Sequence, residues 1–163
     1  MADTQLSASL EDYLEAIFHV VNAKQAARAK DIADRLNVNS SSVTGALHAL
    51  KERALINYEP YDLITLTDHG LRIAREVVRR HEVLRHFFVD VLGISRDEAE
   101  TAACGMEHAM PPVVFDRLVQ FVEFVGTGPT GRLQWDPTQG GFCDGRHDVL
   151  RAEEEPQTDK EAE

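Results

Sequence analysis

The chain is short of cysteine, tryptophan, positive charge and long apolar runs. Of 163 residues, two are cysteines, Cys104 and Cys143, and one is tryptophan. Two cysteines cannot frame a disulfide-stapled fold, so each reads as a buried thiol or a ligand in a reducing compartment. No apolar run approaches the ~20 residues a bilayer span needs. The N-terminal stretch lacks a basic region followed by an apolar core, so a cytoplasmic protein without membrane contact is expected. Seventeen Lys+Arg stand against 28 Asp+Glu, a formal net charge of -11. That shortage of base counts at first against a nucleic-acid partner. What is present, 43% hydrophobic and 28% charged residues, is ordinary globular composition and excludes a wholly disordered or fibrous chain.

Sorting the charge by position changes its meaning. Residues 1–23 carry -4, 24–80 carry +3, 81–150 carry -6 and 151–163 carry -4. A nucleic-acid reader belongs in the basic second segment.

Apolar spacing lays out the elements. A first helix starts from Ser7 or Ser9 as N-cap, with Leu10, Tyr13, Leu14, Ile17, Val20 and Val21 at helical spacing. A short helix follows, carrying Ile32, Ala33 and Leu36 on one stripe and broken at Asn37 and Asn39. Next, Ser40 is a plausible N-cap for a helix with Val43, Ala46, Leu47, Leu50 and Ala54 on one face. Two short helices separated by a few polar residues form a helix-turn-helix pattern. Residues 55–58 and 63–67 then read as two strands joined by Glu59-Pro60-Tyr61-Asp62, the wing of a winged helix.

Thr67 caps a long helix, roughly 68–92, whose apolar surface is wider than one stripe and ends at Gly93. A further helix starts near Ser95 and stops at Pro111. Pro112 opens the last helix, in which nine of the thirteen residues 113–125 are apolar. So apolar a helix predicts a dimer interface within 84–125. Residues 126–150 hold six of the ten glycines and read as a loop folded back by Leu133, Trp135 and Phe142; 151–163 reads as a disordered acidic tail. The expected domains are a winged helix over 1–67, a linker, metal-binding and dimerisation domain over 68–125, then these two segments.

Chemistry concentrates in Cys104-Gly105-Met106-Glu107-His108. Positions i, i+3 and i+4 of a helix share a face, within about 5–6 Å at Cβ, so thiol, carboxylate and imidazole point at one region. Three such donors suit a divalent transition metal, although a buried cysteine beside an exposed Glu-His pair is also common. Asp12 and Glu15, at i and i+3 on the first helix, border its buried side, and His81 lies midway along the long helix.

The motifs Glu11-Asp12-Tyr13-Leu14-Glu15, Asp31-Ile32-Ala33-Asp34-Arg35-Leu36, Ser41-Ser42-Val43-Thr44, Leu66-Thr67-x-x-Gly70, Arg80-His81-Glu82-x-x-Arg85 and Gly105-Met106-Glu107-His108 occur in an informative order. In that order the chain resembles the diphtheria toxin repressor family of metal-dependent transcriptional regulators, over residues 7 to about 125. The shorter manganese transport regulator branch is most similar. The resemblance implies a mainly α protein that binds palindromic operator DNA as a homodimer, with Mn²⁺ or Fe²⁺ as co-repressor, and shuts off metal uptake genes. It implies Asp12, Glu15, His81, Glu107 and His108 as ligands. Cys104 stands where the manganese branch has glutamate and the iron branch cysteine, whereas Asp12 stands where the iron branch has methionine. Thiolate favours Fe²⁺ and carboxylate Mn²⁺, so the ion stays open. Glu11 and Glu100 are candidates for a second, adjacent site. The iron branch also carries a barrel domain for which 163 residues leave no room.

If the second helix of the motif enters a major groove, Ser41, Ser42 and Thr44 can bond phosphates or base edges, Gly45 permits close approach, and His48 and Lys51 follow. Arg28, Lys30, Lys51 and Arg53 are then the phosphate contacts. Simple capping is the plain alternative for the serines, preferred for Ser40. Cys143 and His147 have a zinc-like spacing but no visible partners. The other functional readings are a winged helix gated by a different ligand and, more remotely, a metal-dependent hydrolase, for which no general base or substrate loop is visible.

Overall fold

The computed structural model describes residues 6–59, 63–127 and 133–143; the wing tip at 60–62, His147 and the acidic stretch 151–163 lie outside the described residues. Helix α1 (Ala8–Lys24) starts at Ser7, whose side chain accepts from the Leu10 N–H, and ends at Gln25 in the left-handed region. In α2 (Ala29–Leu36), Asp31 accepts from the Arg28 N–H at 3.1 Å and from Lys24 Nζ at 2.7 Å. Left-handed Asn37 ends that helix.

The recognition-helix candidate is α3 (Ser40–Glu52). Its N-cap is Asn39, one residue before the expected Ser40. Asn39 Oδ1 accepts from the Ser42 N–H at 2.9 Å and from the Ser41 and Ser42 hydroxyls. Asparagine and serine cap about equally well, so a run of both leaves the first residue open until the chain direction is fixed. Leu14 and Ile17 of α1, Ile32 of α2, and Val43, Leu47 and Leu50 of α3 are fully buried in one core. Each contributes roughly 1.5–3 kcal/mol.

Strands β1 (Ile56–Asn57) and β2 (Thr65–Leu66) pair antiparallel, Ile56 opposite Leu66 and Asn57 opposite Thr65, where the wing was expected. A bridge between Ala27 and Ile64 adds a third contact, with N–H···O distances of 2.9 and 2.8 Å. No local pattern around Ala27 announces it, because its partner is far away in sequence.

Helix α4 (Asp68–His86) is capped by Thr67, which accepts from the Gly70 N–H at 3.0 Å and donates to the Ala54 carbonyl at 2.8 Å. A Cβ at Gly70 would fall 1.9 Å from the Leu55 carbonyl oxygen, so the close approach requires glycine. The expected helix to residue 92 is regular only to His86. Phe87–Val91 widens into a π-helical turn in which the Leu92 N–H reaches the Phe87 carbonyl at 3.1 Å. Apolar periodicity over so short a stretch cannot resolve one extra residue in a turn.

Helix α6 (Pro112–Thr127) opens at Pro112 as expected, whereas α5 (Arg96–Glu107) ends at Glu107, short of the expected stop at Pro111, and leaves His108 in the turn that follows. Within the glycine-rich segment, the described residues 133–143 form a hairpin where a loop was expected. Strands β3 (Gln134–Asp136) and β4 (Gly141–Cys143) pair antiparallel, with Trp135 and Phe142 edge to face at 5.2 Å. Left-handed Gly140 closes the turn, and strands of three residues are too short to show alternation. Trp135 packs on Gly93, and Cys143 is a buried thiol.

By packing, the chain forms two units that do not follow sequence order: residues up to Leu84 with Ala102–Met110, and Arg85–Thr101 with residues from Pro111 on. The sequence boundary at 67 grouped His81, Glu107 and His108 with the dimerisation domain. In packing, these three residues fall in the unit that holds the winged helix, because residues 107 and 108 bond to α1 and α4.

Candidate metal centre and nucleic-acid interface

Three elements of the winged-helix unit supply the donors. The first turns of α1 present Glu11, Asp12 and Glu15 at its buried edge. On α4, Ala74, Val77 and Val78 are buried, which carries His81, one turn on, to the same side. Along α5 the buried stripe runs Ala99, Ala103, Glu107, and His108 follows directly.

Glu107 is 1% exposed, the one buried charged side chain among the described residues. Its Oε2 lies 2.8 Å from His81 Nδ1, and its Oε1 lies 3.1 Å from His108 Nε2. His108 Nε2 also lies 2.8 Å from Asp12 Oδ1, while its Nδ1 meets Glu11 Oε2 at 2.6 Å. Two donor groups result, Asp12–Glu107–His108 and Glu15–His81–Glu107, each with ligand atoms within 4.8 Å of one another. Glu107 belongs to both. Its Oε1 is buried without a well-formed hydrogen bond.

The electrostatics match that crowding. Burial first, then the Glu107 charge, pushes the Glu15 carboxyl up. Burial pulls the His108 imidazole down, but the hydrogen bonds to Glu11 and Asp12 and the Glu107 charge outweigh it, and the net shift is upward. Four carboxylates around two imidazoles, one carboxylate buried, leave uncompensated negative charge, which is costly in a partly dry setting. Oxygen and imidazole nitrogen donors with an orphaned carboxylate oxygen fit a divalent transition metal.

Asp12, Glu15, His81, Glu107 and His108 are therefore brought together, and Glu11 joins them through His108. Cys104 is exposed, and its Sγ belongs to neither donor group. It sits one residue past buried Ala103, about 100° off the stripe that carries Glu107. Glu100, in the other unit, pairs with Arg85 at 4.0 Å. Sequence reading missed His19, whose Nε2 lies 3.4 Å from Glu15 Oε1; the i, i+4 spacing was the available signal.

On the candidate nucleic-acid face Arg28, Lys30, Ser41, Ser42, Thr44, Gly45, His48, Lys51 and Arg53 are all exposed. The Ser41 and Ser42 hydroxyls serve the Asn39 cap, and Thr44 Oγ1 donates to the Ser40 carbonyl. Nothing lies within 4 Å of a Cβ built on Gly45. His48 meets the Tyr58 ring edge to face at 5.7 Å. Lys51 Nζ lies 2.6 Å from Glu59 Oε1, and Arg53 Nη1 donates to the Ala49 carbonyl. Glu59 was not singled out in sequence, since only the returning strand places it beside α3.

A winged helix whose first helix is tied into a buried carboxylate–imidazole centre defines the class: a DNA-binding regulator with a metal-responsive core. Two family models match, the iron-dependent repressor N-terminal DNA-binding domain over residues 5–63 and its metal-binding and dimerisation domain over residues 67–136. An HTH-type transcriptional regulator of Methanocaldococcus jannaschii is 34% identical over 119 residues, 72% of this chain and 95% of that one. The HTH-type regulator MntR of Geobacillus kaustophilus is 34% identical over 116 residues, 71% of this chain and 82% of that one. Among solved structures, a manganese-dependent transcriptional repressor in complex with manganese superposes with a TM-score of 0.61 at 30% identity, over 76% of this chain and 55% of that one. The chain belongs to the iron-dependent repressor family of metal-dependent transcriptional regulators. It is a regulator and not an enzyme, and no helix among the described residues is long and apolar enough to cross a membrane.

Proposed function

We propose that the protein is a cytoplasmic, manganese-responsive repressor that binds palindromic operators as a homodimer and turns off metal uptake genes. Asp12, Glu107 and His108 hold one ion; Glu15, His81 and Glu107 hold a second. Glu107 carries this reading, because a buried carboxylate with each oxygen turned toward a different donor group is suited to bridging. The two donor groups contain only carboxylates and imidazoles, so no thiolate draws the site toward Fe²⁺, and the carboxylates suit Mn²⁺. The manganese complex and the MntR relative point the same way. Glu11, on His108 Nδ1, orients the imidazole so that Nε2 faces Asp12 and Glu107.

A bound divalent cation supplies the positive charge that the carboxylates lack. The chain's own part is mechanical: Asp12 and Glu15 anchor α1, and α1 shares the core with α3. Joining α1 firmly to His81 and Glu107 holds the reading helix in one pose, and the affinity lost to misaligned poses is recovered. Gly45 supports groove entry by α3. A mid-helix glycine costs about 1 kcal/mol relative to alanine. No neighbour in the chain calls for one here. Val113, Val114, Phe121 and Phe124 leave an exposed apolar face on α6 for the second protomer.

Anaerobic titration with Mn²⁺ and with Fe²⁺, reading operator binding and metal content together, tests this. The expected result is two Mn²⁺ per protomer, activation by Mn²⁺ at lower free concentration than by Fe²⁺, and loss of both ions in Glu107→Gln. Operator binding that survives full chelation would overturn it.

A further inference from the structure

The two residues that follow β1 run beside the C-terminal half of α3 and make two side-chain contacts with it. Tyr58 meets His48 and Glu59 meets Lys51, consecutive wing residues against positions i and i+3 of the helix. His48 and Lys51 lie on the exposed side of α3 that carries Gly45. A carboxylate 2.6 Å from Lys51 Nζ occupies the place on that ammonium that a DNA phosphate would take. Glu59 is exposed, so no packing demand explains an acid here.

We propose that Glu59 is a specificity-determining residue that acts as a phosphate surrogate on Lys51 and restrains sequence-independent DNA binding. The proposal rests on the reading that α3 enters the groove. When DNA binds, Lys51 exchanges Glu59 for a phosphate, and the freed carboxylate recruits a cation from solution. The exchange releases almost no net counterion, so Lys51 adds little to affinity on arbitrary sequence. Only a site whose other contacts hold α3 deep in the groove offsets the opening of the pair.

The test uses the full-length, Mn²⁺-loaded protein and a short random-sequence duplex, with binding followed from about 50 to 200 mM salt. Glu59→Gln is expected to tighten binding by about three- to tenfold and to steepen the log–log salt dependence by up to about 0.9, the value of one phosphate contact. In a Lys51→Ala background the same change should do neither. Equal tightening with and without Lys51 would show simple charge repulsion and overturn the exchange. Unchanged or weaker binding by Glu59→Gln would overturn it as well.

Gly45→Asp separates this failure from failure of the groove reading. Open space at Gly45 accommodates the side chain, and a charge there should abolish binding if α3 faces DNA. If Gly45→Asp binds normally, the groove reading falls and the surrogate role with it. If Gly45→Asp fails while Glu59→Gln changes nothing, the surrogate role falls alone. Circular dichroism melts of each variant confirm that the fold is intact.

Discussion

Glu107 and His108 are the single residues on which the proposed metal response turns. Glu107→Gln keeps the shape of the buried side chain but removes its charge, so the metal-free fold should survive while both ion sites weaken. Removing a ligand that two ions share should lower metal stoichiometry from two to zero, whereas Asp12→Asn should leave the Glu15–His81–Glu107 group occupied. Metal content after dialysis distinguishes them. The shifts at His108 and Glu15 also fix the sign of a pH effect. Both groups hold their protons more tightly in the folded, metal-free protein than in the unfolded chain. Their contributions are therefore fully present below the unfolded values, 6.5 for His108 and 4.5 for Glu15, and are lost as pH rises through the raised folded values. Ligation needs the deprotonated forms. The thermal midpoint of chelated protein should fall between about pH 6 and 8. Mn²⁺-loaded protein should not follow it, so the gap widens with pH. A gap that narrows toward pH 8 would contradict this arrangement of charges.

At the scale of elements, two glycines with opposite surroundings test how the helices are placed. Gly70→Ala drives a Cβ into the Leu55 carbonyl and should cost about 1–3 kcal/mol or more by pushing α4 off the segment that joins α3 to β1. Gly45→Ala meets nothing and should stabilise the chain by about 0.5–1 kcal/mol while weakening DNA binding. Urea unfolding and a gel-shift titration on the same two proteins check both signs. The elements that were legible in sequence are those whose burial is periodic: α1 through Tyr13, Leu14, Ile17 and Val20, and α3 through Val43, Leu47 and Leu50. Hidden features were of two kinds. Some were long-range: the Ala27–Ile64 bridge and the Lys51–Glu59 pair form only once the chain has folded back. Others turned on one residue of phase, as in the π-helical turn after His86 and the outward position of Cys104. The five core donors were legible because Asp12 and Glu15 share one spacing and Glu107 and His108 adjoin. Joining the two sets needed His81, whose place on the long helix could be read in sequence but whose contact with Glu107 depends on folding.

Across the whole molecule, the net charge of -11 divides by task. Part of the acid sits in the donor cluster of α1 and α5, while the basic segment 24–80 contains α3 and its wing. The five clustered donors and Glu11 all lie in the winged-helix unit, whereas the exposed apolar face of α6 lies in the other unit. Metal binding and dimerisation should therefore be separable. Phe124, 67% exposed, is the place to separate them, because a charge there leaves the protomer's own core intact but is buried if α6 packs on a second copy. Phe124→Glu should run as a monomer by analytical ultracentrifugation and still take up two Mn²⁺ with near-native affinity. It should lose operator binding by about 10²–10⁴-fold, because two linked reading heads reach that gain without any new contact. Its binding to a single half-site should match one protomer of the native protein. If the monomer also loses Mn²⁺, the centre depends on the second copy, and the donors of one chain are not sufficient to hold it.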